Sequence, residues 1–223
     1  MASAEVRAPV QGPSGDVSTV AIAPRGAIAT LVLGHGAGAG MDHPFLEGFS
    51  RGMEAEGVAT VRFNFPYVDR GRRSPDPERV LRETWNAVFA SVLARSRGSS
   101  VLAGGKSLGG RIASMCVADG MAARGLVFLG YPLHPPGKPE RVRADHLSAV
   151  EVPMLFLQGT ADPFARPDVL APVLDGLADR ATLVRIEGGD HSFRRKGVRA
   201  DDLEVGAGLA EPAAAFVRRV VAG

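Results

Sequence analysis

The chain is poor in cysteine and lysine, and it contains no long apolar run. Its 223 residues include one cysteine, Cys116, which excludes an internal disulfide framework and favours a reducing compartment such as the cytoplasm. No run approaches the roughly 18 apolar residues of a membrane-spanning helix. The N-terminus also lacks a basic region followed by an apolar stretch. We therefore expect neither a membrane span nor a secretory signal.

The basic residues are mostly arginine, since only three of the 26 are lysine. Two short basic clusters, at residues 70–73 and 194–196, lie in loop-like sequence and have no interleaved aromatic residues. We expect them to form solvated surface and not a nucleic-acid-binding face. The five histidines show no metal-ligand spacing, so no metal site is expected.

The most informative segment is residues 101–110, which read VLAGGKSLGG. A short apolar run ends in Gly-x-Ser-x-Gly at Ser107, and a helix-compatible run follows. This strand–turn–helix context is typical of a nucleophilic serine on a strained elbow. A serine at positive φ crowds the residues two positions away, which explains Gly105 and Gly109. The N–H of Leu108, at the start of the helix, then points to where an oxyanion would form.

Two alternatives apply to the same residues. Gly105-Lys106-Ser107 also matches the end of a phosphate-binding loop, G-x-x-x-x-G-K-[ST]. That motif needs a glycine five residues before Gly105, where this chain has Ser100, and the strand pattern leaves no room for the loop. The other alternative is a glycine-rich turn that only packs a helix against a strand. The rest of the chain decides against it.

Apolar strand-like runs alternate with helix-like segments along the chain. This alternation predicts an α/β fold in which a doubly wound, mostly parallel sheet carries helices on both faces. The predicted strands are 17–23, 29–33, 58–63, 101–103, 125–129, 153–157 and 181–186. The predicted helices are 44–56, 77–95, 111–118, 167–177 and 206–221. Residues 1–16 are expected to form a flexible tail or an edge strand, and residues 17–223 a single domain.

Two further residues complete a candidate catalytic triad. Catalytic groups of such a sheet collect at the carboxyl ends of its strands. Asp162 follows the predicted strand 153–157, and His191 follows the strand 181–186. Ser107 would be the nucleophile, His191 its base and Asp162 the residue that orients the base. Alternatively, Asp162 caps the turn before Pro163, and His191 is structural.

The glycine-rich run 34–40 follows a buried strand and is expected to supply a second oxyanion donor. Glycines allow backbone N–H groups to approach a ligand without obstruction by side chains. We favour the N–H of Ala37, with that of Gly38 next, beside the N–H of Leu108. His35 is expected to fix this loop by hydrogen bonding.

The substrate site is expected to be open and shallow, because the insertion at residues 132–150 is too short for a large lid. Tyr131, Phe164 and Phe193 follow the catalytic strands and are expected to line it. Lys106 and Arg111 flank the nucleophile, and we expect surface or helix-packing roles for both.

Several separate motifs, in this order, resemble the α/β-hydrolase superfamily. They are LGHGAGAGMDHPF at 33–45, GKSLGGR at 105–111, GYPLHPPGK at 130–138 and GDHSF at 189–193. The chain is similar to compact dienelactone-hydrolase-like members, and most of all to the family of testis-expressed protein 30 and the hydrolase-like domain of an NSL-complex regulatory subunit. The resemblance implies the α/β-hydrolase fold and the triad Ser107, His191 and Asp162. Dienelactone hydrolases proper carry cysteine at the elbow, so serine weighs against their lactone chemistry.

The leading hypothesis is a cytoplasmic, carboxylesterase-like serine hydrolase that needs no cofactor. It would cleave small ester or related acyl substrates through an acyl-enzyme. The alternative is a non-catalytic binding or scaffold module on the same fold, because some relatives resemble interaction domains. A third hypothesis is an acyltransferase or perhydrolase. The expected partner is a small acyl substrate, not nucleic acid or a membrane, and the sequence carries no distinct signal for an oligomeric state.

Overall fold

An eight-stranded sheet forms the centre of the computed structural model, which describes residues 3–223. The strand order is β1-β2-β4-β3-β5-β6-β7-β8, in which β2 pairs antiparallel with both β1 and β4 and all other neighbours are parallel. The predicted α/β-hydrolase architecture is therefore confirmed. The strands are β1 Val6–Val10, β2 Val17–Ile22, β3 Ala29–Gly34, β4 Ala59–Phe63, β5 Ser100–Lys106, β6 Leu126–Leu129, β7 Met154–Gly159 and β8 Ala181–Ile186.

Helices cover both faces of this sheet. They are α1 Pro44–Ala55, α2 Pro66–Asp69, α3 Glu78–Arg95, α4 Leu108–Ala118, α5 Pro167–Leu177, α6 Asp202–Ala207 and α7 Ala210–Ala222, with 3-10 helices at Asp145–Ala149 and Ala178–Arg180. The closing segment differs from the single helix predicted over 206–221. The Asp201 side chain accepts from the Glu204 N–H in a capping box, which starts α6 as a separate helix. Within residues 3–223, no helix is long and apolar enough to cross a membrane.

The core consists of one apolar cluster on each face of the sheet. The central strands are apolar on both sides because both sides are covered. Along β5, Val101 and Ala103 belong to the cluster that contains Trp85 of α3, whereas Leu102 belongs to the cluster that contains Phe216 of α7. This alternation follows from the two-residue period of a strand. Packing on both faces holds β5, and the elbow that follows it, between the two layers of helices.

The N-terminal segment contributes the edge strand β1. Arg62 in β4 supports the pairing of β1 with β2. The Arg62 side chain is only 1% exposed. Arg62 donates to a Glu5 carboxylate oxygen at 2.8 Å and to the Met41 carbonyl at 2.8 Å. A buried guanidinium needs such acceptors, so these bonds attach the segment at Glu5 to the sheet.

The elbow depends on a close approach between β3 and the start of α4. A Cβ atom added at Gly109 would lie 2.2 Å from the Gly34 carbonyl carbon, and one added at Gly105 would lie 2.2 Å from the Gly34 oxygen. Both glycines are therefore required by the neighbouring strand. Crowding by Ser107 itself, the reason expected from sequence, is not the nearest contact. Trp85 Nε1 also donates to the Gly109 carbonyl at 3.1 Å.

We predict that Gly109→Ala lowers the free energy of unfolding by about 1–3 kcal/mol, as is usual for overpacking in a core. Gly176→Ala is the matched control, since Gly176 also lies in a helix and has no atom within 4 Å of an added Cβ. This control is expected to gain up to about 1 kcal/mol from higher helix propensity. Urea denaturation measures both values. Equal stability of the two variants would contradict the close approach at Gly34.

Candidate active site

Ser107, Asp162 and His191 follow three strands whose carboxyl ends meet at one edge of the sheet. Ser107 comes directly after β5 and precedes α4. Its φ of +50° and ψ of −113° are uncommon for a residue with a side chain. Such a backbone conformation is maintained only by its surroundings and is often found at functional sites. It presents the hydroxyl above the sheet edge, at the N-terminus of a helix.

The structure brings these three side chains into one hydrogen-bonded chain. His191 Nε2 lies 2.9 Å from Ser107 Oγ, and His191 Nδ1 lies 2.7 Å from Asp162 Oδ2. Because the carboxylate is an acceptor, Nδ1 carries the proton and donates it. Nε2 is then free to accept from the serine hydroxyl. This is the geometry that a serine needs to become a nucleophile.

Asp162 is completely buried and is held by two further donors. Its Oδ2 accepts from Gln158 Nε2 at 2.6 Å, and its Oδ1 accepts from the Phe164 N–H at 2.8 Å. One carboxylate oxygen thus caps the turn before Phe164, and the other contacts His191. A buried charge with this many donors keeps one orientation.

Sequence reasoning missed Gln158. Its amide bridges Asp162 and the Tyr131 N–H, which donates to Gln158 Oε1 at 2.8 Å. The available signal was a single polar residue inside the otherwise apolar strand β7. A polar side chain in a strand covered on both faces needs partners, and here the partner is the Asp162 carboxylate.

The loop that carries His191 has its own internal support. Asp190 Oδ1 accepts from the N–H groups of Ser192 at 2.8 Å and Arg194 at 2.9 Å. Phe193 has a φ of +63°, which is a rare conformation for a bulky residue. The loop therefore makes a tight turn directly after His191.

His35 fixes the glycine-rich loop, as expected. Its Nδ1 donates to the Gly36 carbonyl at 2.8 Å, and its Nε2 accepts from the Phe65 N–H at 3.1 Å. Burial lowers the pKa of His35 to about 4, so the imidazole is neutral at pH 7 and suits this pairing. A Cβ atom at Gly36 would lie 3.8 Å from Ser107 Cβ, so the loop runs directly past the elbow.

A cleft of about 650 Å³ opens in front of Ser107 and His191. Its lining includes Ala37 and Leu108, two of the expected oxyanion donors, but not Gly38. Gly38 has a φ of +74° and is exposed, whereas Ala39, the next residue, lines the cleft again. Arg111, His134 and Arg143 also line the cleft.

Of the three aromatic residues expected to line the site, only Phe164 does so. Its ring centroid lies 4.5 Å from that of His191. Tyr131 is 1% exposed, and its hydroxyl lies 3.2 Å from His146 Nε2, so it points into the core. Phe193 stacks on Phe45 at a centroid distance of 5.7 Å and lines a neighbouring groove. The conformation of the turn after each strand determines whether the aromatic side chain that follows points into the cleft or into the core.

Lys106 departs from the expected surface or helix-packing role. Its Nζ donates to the His191 carbonyl and lies over the rings of Phe45 and Phe193. Burial lowers the pKa of Lys106 to about 8. The lysine of the elbow therefore lies inside the site and contacts the loop of the candidate base.

Comparison with known proteins agrees with the fold. Residues 27–218 match the family model described as the alpha/beta hydrolase domain. The chain therefore belongs to the α/β-hydrolase family.

Solved structures with the same fold cover almost the whole chain. A lidless α/β serine hydrolase from Xanthomonas campestris is 23% identical, with a TM-score of 0.75 over 96% of this chain and 94% of that one. A dienelactone hydrolase from Anabaena variabilis is 18% identical, with a TM-score of 0.77 over 98% and 99%. An α/β serine hydrolase homologue from Coxiella burnetii is 19% identical, with a TM-score of 0.72 over 96% of both chains.

We predict that Gln158→Leu lowers kcat by about tenfold, because the orienting carboxylate loses a donor. Leaving a buried acceptor unpaired also costs about 1–3 kcal/mol of stability. Gln11→Leu makes the same change at an exposed position and is the control. Steady-state kinetics and thermal unfolding measure both effects. Wild-type kcat in Gln158→Leu would show that Asp162 keeps its orientation without this amide.

Proposed function

We propose that this α/β hydrolase is a serine esterase that cleaves small ester or related acyl substrates. The observation that carries the proposal is the continuous hydrogen-bonded chain from Ser107 through His191 to Asp162, at the floor of an open cleft. Each of the three residues has the hydrogen-bond partner that its proposed role requires.

In the first half of the reaction, Ser107 Oγ attacks the substrate carbonyl while its proton passes to His191 Nε2. The buried Asp162 carboxylate stabilises the imidazolium that forms. The N–H groups of Leu108 and Ala37, which both border the cleft, hold the negative oxygen of the tetrahedral intermediate. His191 then gives its proton to the leaving alcohol, and the acyl group remains on Ser107.

In the second half, His191 takes a proton from water, and the resulting hydroxide attacks the acyl-enzyme. The C–O bond to Ser107 breaks, and the proton returns to the serine oxygen. The products are the free acid and the restored hydroxyl. If an alcohol or peroxide takes the place of water, the same acyl-enzyme gives a transfer product instead.

Small substrates fit the shape of the site. The segment between β6 and β7 carries only the short 3-10 helix Asp145–Ala149, so in the described chain no helical lid closes over the cleft. The volume of about 650 Å³ is of the size that holds a small ligand. The lidless serine hydrolase of Xanthomonas campestris has a comparable fold. We therefore favour short-chain esters over long-chain lipids.

The finer relationship that we propose is to the family of testis-expressed protein 30 and the NSL-complex regulatory subunit. The stretches at 105–111 and 130–138 support it. We also propose a cytoplasmic location, since a chain with a single cysteine has no internal disulfide and suits a reducing compartment.

A fluorophosphonate probe tests the proposal directly. We expect stoichiometric labelling of Ser107 in the wild type, located by intact-mass and peptide analysis, and none in Ser107→Ala. His191→Ala and Asp162→Asn are expected to slow labelling by about 10³- to 10⁴-fold, because the base is absent or misoriented. Ser99→Ala changes an exposed serine and is the control.

A screen of p-nitrophenyl esters of increasing chain length follows the labelling. We expect the highest kcat/KM on the acetate or butyrate ester. A folded wild-type protein that neither labels nor hydrolyses any ester would refute the esterase proposal and favour a binding module. A transfer product formed in the presence of added alcohol or peroxide would favour the acyltransferase or perhydrolase alternative.

A further inference from the structure

We propose that Lys106 is a positioning residue for the catalytic base, and that its ammonium connects the elbow, the His191 loop and helix α1. We refer to Lys106, Phe45, Phe193 and the His191 carbonyl together as the lysine clamp. The clamp deepens the proposed function, on which it rests, because it accounts for how His191 stays opposite Ser107.

The side chain of Lys106 crosses the site from one loop to another. Its stem starts one residue before the nucleophile and passes the glycine-rich loop, where a Cβ atom at Gly36 would lie 3.5 Å from Lys106 Cγ. Its Nζ donates to the main-chain oxygen of His191. Nζ and this oxygen also meet beside Gly130, since a Cβ atom there would lie 3.2 Å from Nζ and 3.4 Å from the oxygen.

Two stacked rings complete the clamp. Lys106 Nζ lies 5.4 Å from the Phe193 centroid and 5.9 Å from the Phe45 centroid. The two rings are nearly parallel, with an interplanar angle of 8°. An ammonium within about 6 Å of a ring face is attracted by the ring quadrupole. Phe45 lies in the first turn of α1, just after the glycine-rich loop, so one cation connects α1 with the elbow and the His191 loop.

The His191 loop needs such support because Phe193 has a φ of +63°. A bulky residue keeps that conformation only when its surroundings hold it. Asp190 supports the loop from within, by accepting from the N–H groups of Ser192 and Arg194. Lys106 supports it from the elbow itself, which ties the position of the base to that of the nucleophile.

The ammonium of Lys106 is largely buried, and packing alone does not explain a charged side chain at such a position. In residues 3–223, Nζ bonds to a carbonyl and forms no ion pair with a carboxylate. Burial lowers the pKa of Lys106 from 10.5 to about 8, and the charges of Asp162 and Asp190 oppose this shift only in part. Since the pKa is lower in the folded state, the unfolded chain binds more protons between about pH 8 and 10.5. Stability from this group therefore rises with pH across that range.

Lys106→Met separates positioning from packing, because methionine has a similar length and carries no charge. Replacing a buried charge by an apolar side chain is often neutral or stabilising. We expect Lys106→Met to melt at or above the wild-type temperature at pH 7. Its kcat on p-nitrophenyl acetate is expected to fall about tenfold to a hundredfold, with KM little changed, because His191 is no longer held in place.

Two variants and one spectroscopic signal complete the test. Lys106→Arg keeps the cation and is expected to recover part of kcat. Lys196→Met makes the same substitution at an exposed lysine just after the His191 loop. Its kcat and melting temperature are expected to match those of the wild type. The proton on His191 Nδ1, hydrogen-bonded to Asp162, gives a downfield NMR resonance that we expect to broaden or vanish in Lys106→Met alone. Raising the pH from 7 to 10 should narrow the stability difference between Lys106→Met and the wild type.

The proposal fails if Lys106→Met keeps both the wild-type kcat and the Nδ1 resonance. It also fails if activity falls only in proportion to lost stability and Lys106→Arg restores nothing, since that pattern indicates a packing residue. The NMR signal needs no turnover. A wild type that Ser107-directed probes do not label therefore refutes the esterase proposal, while the resonance still decides whether Lys106 positions His191.

Discussion

The backbone of Gly34 lies directly against Gly105 and Gly109, and the whole site depends on that contact. Without side chains between them, the end of β3 and the start of α4 approach as closely as two backbones can. The glycine-rich loop leaves β3 at this point, and the nucleophile leaves β5. The sheet itself therefore fixes the distance between the two segments that would supply oxyanion donors. This distance does not depend on the conformation of a flexible loop.

Several polar groups around the site are buried, and burying each of them has a cost in folding free energy. Asp162 has three donors, His35 is held neutral between a carbonyl and an N–H, and Lys106 is charged without a carboxylate partner. Each would be replaced by an apolar side chain in a core selected for stability alone. These residues lie around the loops of Ser107 and His191. Their cost in stability therefore falls on the part of the structure that sets the distances between the site residues.

The sequence was sufficient to predict the fold and the three residues that the structure joins by hydrogen bonds, because both follow from local patterns. Strand ends, the Gly-x-Ser-x-Gly turn and the order Ser107, Asp162, His191 are all visible without tertiary contacts. Gln158 and Lys106 were missed as partners of the site because their roles come from residues distant in sequence. Tyr131 was assigned to the cleft although it lies in the core, since the direction of a side chain after a strand depends on the turn. The chain forms two helices, α6 and α7, where one was predicted, and the capping box at Asp201 starts the first of them. Hydrophobic periodicity does not reveal such a cap.

His191 reaches Ser107 across 84 residues of sequence, from the loop after the last strand. β8 is an edge strand of the sheet and is only partly buried. In the proposed mechanism, Ser107 stays an ordinary alcohol until β8 has joined the sheet, because the loop after β8 supplies its base. A chain shortened before β8 would keep the elbow residues without His191. The proposed activity therefore depends on the docking of the final strand.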